Sequence, residues 1–108
     1  MTSVFHNSRL VVSTAIATVY TCPSATTAIV FLLQAANVNT QAETATVTWT
    51  DASAGNAVTR LGNGVPIPTN EAQGLLTGKL VLEAGDTVRA LCSTANMIEV
   101  SMSVLEMS

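Results

Sequence analysis

Thr44-Ala45-Thr46-Val47-Thr48-Trp49-Thr50 alternates without a break, with threonine at each even position and Ala, Val or Trp at each odd one. Successive side chains of an extended chain point to opposite faces of a sheet, so this period of two marks a strand with one buried side. Ala45, Val47 and Trp49 are expected in a core, under a ladder of threonines that faces outward. The same period returns near the end of the chain. Ile98, Val100, Met102 and Val104 alternate with Glu99, Ser101 and Ser103, and the phase slips at Val104-Leu105, which suggests a bulge or a strand that changes sheets. Between these stretches, Leu80 and Leu82 share one face, and Val88, Ala90 and Cys92 another. Gly85 is placed to take the positive φ of a type II turn.

The remaining segments read as strands and turns. Val11, Val12, Ile16, Val19 and Tyr20 lie among Thr and Ser, a β-branched composition. Cys22-Pro23-Ser24 is a turn. Ala28-Ile29-Val30-Phe31-Leu32-Leu33 is apolar on both faces and reads as a central strand buried on both sides, with a short buried helix as the rival. Asn37–Gln41 is a polar loop. Ala57–Leu61 is a short strand that Gly62-Asn63-Gly64 ends with a tight reversal. Val65-Pro66-Ile67-Pro68 must be an edge or a connector, because proline donates nothing to a ladder. Thr69–Thr77 could hold one helical turn. About eight strands at this spacing predict an all-β chain, an antiparallel β-sandwich of jelly-roll type. Met1–Ser8 lacks periodicity. It reads as a short N-terminal arm, residues 1–8, ahead of a single domain of residues 9–108, with Val4 and Phe5 as its docking anchors.

Charge is scarce. Four basic and seven acidic residues make 10% of 108, and the formal net charge is −3. A typical soluble domain is about 25% charged, so part of this surface is expected to be covered by partners, most simply by other copies of the chain in a trimer. Arg9, Arg60, Lys79 and Arg89 are scattered and form no basic stripe, which argues against a nucleic-acid partner. The longest apolar run, Ala28–Leu33, is far short of a membrane span. Leu10–Tyr20 follows Arg9 in the manner of a signal peptide, but Ser13, Thr14 and Thr18 interrupt it.

Chemistry-bearing residues are few. His6 is the one histidine, and neither Cys22 nor Cys92 has a recognisable catalytic or metal-ligand neighbourhood. The two cysteines read as buried thiols, with a long-range disulfide as the alternative. Asp51-Ala52-Ser53-Ala54-Gly55 spaces oxygens like a calcium loop but lacks its distal glutamate, so an Asx turn at Asp51 is the simpler reading. Gly62-x-Gly64 precedes prolines where a nucleotide fingerprint would open a helix. Trp49 and Tyr20 could stack on a sugar, although Trp49 shares its face with Ala45 and Val47 and belongs more naturally to the core. No catalytic residue, metal or cofactor is expected, and no enzyme.

Leu80-Val81-Leu82-Glu83-Ala84-Gly85-Asp86-Thr87-Val88 resembles the strand–Gly-Asp–strand hairpin common in jelly-roll proteins. Together with Thr18-Val19-Tyr20-Thr21-Cys22-Pro23, Val47-Thr48-Trp49-Thr50-Asp51 and Val100-Ser101-Met102-Ser103-Val104-Leu105-Glu106, it makes the chain similar to small virion proteins of tailed bacteriophages. That resemblance implies a structural protein of the particle, made in the host cytoplasm. Its foremost form is a capsid decoration (cement) protein that binds the major capsid protein or other virion proteins. The alternative is a tail-tip or fibre component, of a kind that can bind glycans. It carries over contact surfaces and no catalytic motif.

Overall fold

The computed structural model describes residues 2–108. Nine strands run through them: β1 Ser3–Val12, β2 Ala17–Thr21, β3 Thr27–Asn37, β4 Glu43–Asp51, β5 Ala57–Ile67, β6 Ala72–Gly74, β7 Leu80–Leu82, β8 Thr87–Cys92 and β9 Ile98–Met107. The only helical element among the described residues is a single 3₁₀ turn, Ala52–Ala54. Among the described residues no helix is long and apolar enough to cross a membrane. One sheet has the order β1-β9-β3-β6, with β7 also paired to β3, and the other has the order β2-β8-β4-β5. All pairings are antiparallel. Two such sheets packed face to face are a β-sandwich of jelly-roll type, as the alternation predicted.

The apolar core lies where the period of two directs it, but the threonine ladder is not wholly exposed: Thr48 and Thr50 are buried as well. Ala45 and Val47 of β4 stand opposite Cys92 and Ala90 of β8, and all four are buried. Ile98, Val100, Met102 and Val104 meet them from β9, with Val12, Val30, Leu33 and Leu82 from β1, β3 and β7. Trp49 packs partly buried against this cluster, as does Tyr20, so the two aromatic residues face the interior and form no open sugar platform. Total accessible surface is 5811 Å², close to the roughly 5,700 Å² expected for this mass.

Three backbone features differ from the sequence reading. The division between an arm of residues 1–8 and a domain from Arg9 has no counterpart in the strand: β1 runs unbroken from Ser3, and all ten of its residues pair with β9. Its N-terminal half lacks alternation in sequence because both of its faces are largely exposed, so no burial selects apolar residues there. Met1 lies outside the described residues. Gly62-Asn63-Gly64 does not reverse the chain. β5 continues through it along β4 with register shifts on either side of Val47, and Gly64 takes φ 59° within a bulge. Both flanks of the Asn-Gly pair find partners on the same strand, and that pairing overrides the local turn preference. Thr69–Thr77 holds a turn and the short strand β6 in place of a helical turn.

The two prolines behave as expected, since β5, which carries Pro66, is the edge of its sheet. Gly85 takes φ 87° in the β7–β8 turn. Beside it Asp86 is fully buried, and its carboxylate works as a small scaffold. Oδ1 accepts from the Ala52 amide at 2.9 Å, and Oδ2 accepts from the Glu83 amide at 2.9 Å and from Trp49 Nε1 at 3.3 Å. One side chain thus holds the end of β4, the end of β7 and the core tryptophan together. A buried carboxylate is tolerated only when its lone pairs are filled in this way.

Candidate interaction face

The site begins with one extra residue. β3 pairs with β9 through Val30↔Val104 and then Leu32↔Ser103, so Phe31 has no partner and forms a bulge. The bulge or change of sheet expected at Val104-Leu105 is not there: β9 runs in unbroken register with β1, and Leu105 is apolar because it faces the outer side. A bulge breaks the alternation, and here it places two consecutive apolar side chains in solvent: Phe31 is 45% exposed and Leu32 41%. The stretch Ala28–Leu33 is therefore buried on one side only, contrary to the reading from its composition. Ala28, Val30 and Leu33 face the core.

The outer side of this sheet carries a row that its registers define. Phe5 of β1 lies opposite Leu105 of β9, Leu105 opposite Ile29 of β3, and Ile29 opposite Val81 of β7. Directly opposed side chains on adjacent strands are in contact range, so the four form an apolar stripe across the sheet. Phe31 reaches over β9 to Phe5 in an edge-to-face pair, with centroids 5.9 Å apart and planes at 83°. Phe5 is 71% exposed and Val81 54%. Both phenylalanines of the chain are spent on this surface, in a protein with only 4% aromatic residues. Toward the other end the face turns polar, with Asn7, Arg9, Ser101, Ser103, Gln34 and Glu99 around two shallow hollows. Ser103 Oγ donates to Asn7 Oδ1 there at 2.7 Å.

Of the two anchors expected from the sequence, Phe5 belongs to this face and ends its apolar row at the β1 edge. Val4 does not join it, because neighbours on a strand point to opposite sides. Val4 is 43% exposed and stands opposite Glu106 on the other side of β1. On that side His6 Nε2 lies 3.3 Å from Glu106 Oε1, and Tyr20 Oη donates to Glu106 Oε2, a polar strap from β1 and β9 to β2. Burial, followed by the bond to Glu106, raises the Tyr20 phenol far above its usual range, so it remains a donor. Ile29, Phe31, Leu32, Val81 and Leu105 were missed as surface residues. Nothing local distinguishes them from core residues, although the excess of apolar residues over one face in Ala28–Leu33 was a signal.

The remaining candidate groups are structural. Cys22 and Cys92 are free thiols with 1% and 3% exposure, and burial is the main cause that pushes both thiols up. Asp51 forms the Asx turn, its Oδ1 accepting from the Ser53 amide at 3.2 Å and from Ser53 Oγ at 2.8 Å. Carboxylate oxygens of Asp51, Glu83 and Asp86 come within 4.8 Å of one another, a spacing that could hold a metal ion, but Asp86 already spends both oxygens on the three donors named above.

No protein-family model matches the sequence, and no curated protein matches it. The fold has clear likenesses among solved structures. A chain from the acid-stable capsid of Helicobacter pylori bacteriophage KHP30 superposes with a TM-score of 0.58 at 13% identity, covering 98% of this chain and 87% of that one. A subunit of the disulfide-linked endospore appendage pili of Bacillus gives 0.58 at 11% identity, covering 97% and 84%. A chain of the infectious bursal disease virus particle gives 0.51 at 8% identity, covering 98% of this chain and 30% of that much longer one.

Proposed function

We propose that this chain is a structural protein of a virus particle, a capsid decoration protein held on the head shell by the apolar outer face of its five-stranded sheet. The observation that carries the reading is that face: an edge-to-face phenylalanine pair and a four-strand apolar row displayed in solvent on a rigid sandwich. An exposed apolar cluster of this kind marks an interaction site. The fold likeness to a phage capsid chain supports the choice of partner.

The magnitudes decide how such a module attaches. Phe5 and Phe31 expose 71% and 45% of their surface. On about 200 Å² per phenylalanine, burying both gains roughly 6 kcal/mol at about 25 cal/mol/Å². Association costs about 4–15 kcal/mol in lost freedom, so one copy on one shell subunit binds weakly. Several linked copies engaging neighbouring subunits bind far more tightly, and bridging neighbours is what stabilises a shell. Attachment depends little on salt, because Phe5, Leu105, Ile29, Val81, Phe31 and Leu32 include no charge.

The test is add-back of purified protein to undecorated heads, with genome retention on heating as the readout. Wild type is expected to raise the temperature of genome release, with density on the shell in particle images, and Phe5→Ser with Phe31→Ser to abolish both. Density at the tail alone, with heads unaffected, would instead establish the tail-tip or fibre reading.

A further inference from the structure

The two sheets have four edges, and three of them are blunted. β5 carries Pro66, two register shifts and Gly64 at positive φ. β2 is five residues long and shifts register between Thr18 and Tyr20. The edge beyond β3 is split into β6 and β7, three residues each. These are the devices by which sheet proteins prevent unwanted strand pairing. β1 has none of them: ten residues, ten consecutive partners on β9, no proline and no register shift. Among the described residues no other strand pairs with its outer edge.

From this contrast we propose that β1 is the chain's self-association edge, pairing antiparallel with β1 of a second copy about a two-fold axis at Ser8. The choice of a second copy rests on self-complementarity. Residues opposed across an antiparallel pair lie on the same face, so the axis must pass through a residue and not between two. Centred on Ser8, Phe5 of each copy lies opposite Val11 of the other, His6 opposite Leu10, and Asn7 opposite Arg9. Phe5 and Val11 are the most exposed apolar side chains of the strand, at 71% and 54%, and this register sets each beside the other, leaving the outward surface of Phe5 open. An axis at Arg9 would oppose two guanidinium groups, and one at Asn7 would set Phe5 against Arg9. The charge pattern and the apolar pattern therefore select one register.

Such a two-fold stands perpendicular to the sheet, so both phenylalanine pairs end on the same side of a continuous sheet. The dimer presents two apolar patches in one direction, the arrangement that bivalent attachment to a surface needs. The pairing is independent of what that surface is, so its test needs no virus particle.

Sedimentation equilibrium of the full chain is expected to give twice 11.2 kDa at tens of micromolar. Val11→Lys, at a half-exposed position, is expected to weaken the dimer about tenfold or more with an unchanged circular dichroism spectrum. A nitroxide on Ser3→Cys reads the register directly, since Cys22 and Cys92 are too buried to label. Ten residues of strand separate the two labels about the Ser8 axis, or about 34 Å by dipolar spectroscopy; an axis at Asn7 would give about 27 Å. A monomer at all concentrations, a trimer, a dimer indifferent to Val11→Lys, or a label distance far from 34 Å would each overturn the proposal.

Discussion

Replacing Asp86 by alanine should cost this protein a large part of its stability although no apolar contact is lost. The carboxylate is fully buried, and its removal strands the Ala52 amide, the Glu83 amide and Trp49 Nε1. A buried donor left without an acceptor costs about 1–3 kcal/mol. The Trp49 bond is long at 3.3 Å, and Glu83 is an exposed residue whose amide water can reach, so both belong near the lower limit. The sum is about 4 kcal/mol against a total of about 5–15 kcal/mol for a domain of ordinary stability. Asp86→Asn retains the shape and one acceptor oxygen, and about half of that loss is expected, roughly 2 kcal/mol. Urea unfolding at pH 7, followed by far-ultraviolet circular dichroism, measures both. With a slope of about 1.5 kcal/mol per molar, the midpoint should fall by about 2.5 M for alanine and by about half as much for asparagine. A fall below about 0.5 M for alanine would refute the scaffold argument, and equal losses for the two variants would show that charge and not the donor count matters.

Three further outcomes are expected. Gly85→Ala should lower stability by about 1–2 kcal/mol in thermal or urea unfolding, since Gly85 takes φ 87° and a Cβ there would stand 3.3 Å from the Cβ of Ala52. Hydrogen bonds from Ser93 and then from Asn39 hold the Glu43 carboxyl below its usual range; its contribution is present above the unfolded value near pH 4.3 and is lost as pH falls through the folded one. Wild type and Glu43→Gln should therefore differ in urea midpoint at pH 7 and converge in strong acid. Cys22 and Cys92, buried and protonated, should resist a thiol reagent in the native state and yield two labelled thiols on unfolding; a pair oxidised in the isolated protein would contradict this.

Strand identity was legible wherever one face of a strand meets the core. The alternation in Thr44–Thr50 and Ile98–Val104 located β4 and β9, Gly85 located the β7–β8 turn, and Pro66 and Pro68 marked their segment as an edge or a connector, which Pro66 in β5 bears out as an edge. The candidate face was legible only at Phe5. Its other members lie in strands whose outward positions are also apolar, and an apolar residue carries no local mark of the side it faces. Asn63-Gly64 misled for a related reason: the turn preference is local, while the pairing of both its flanks with β4 is not.

By itself, then, the sequence determined a two-faced, sparsely charged all-β chain, because side-chain period and turn chemistry act over a few residues. Only the tertiary structure decided which strands meet. β1 and β3 flank β9 from the far end of the chain, and one unpaired residue in β3 exposes Phe31 beside Phe5, twenty-six positions away in sequence. A side chain's face depends on its partner strand's register, and a shift of one residue exchanges core for surface.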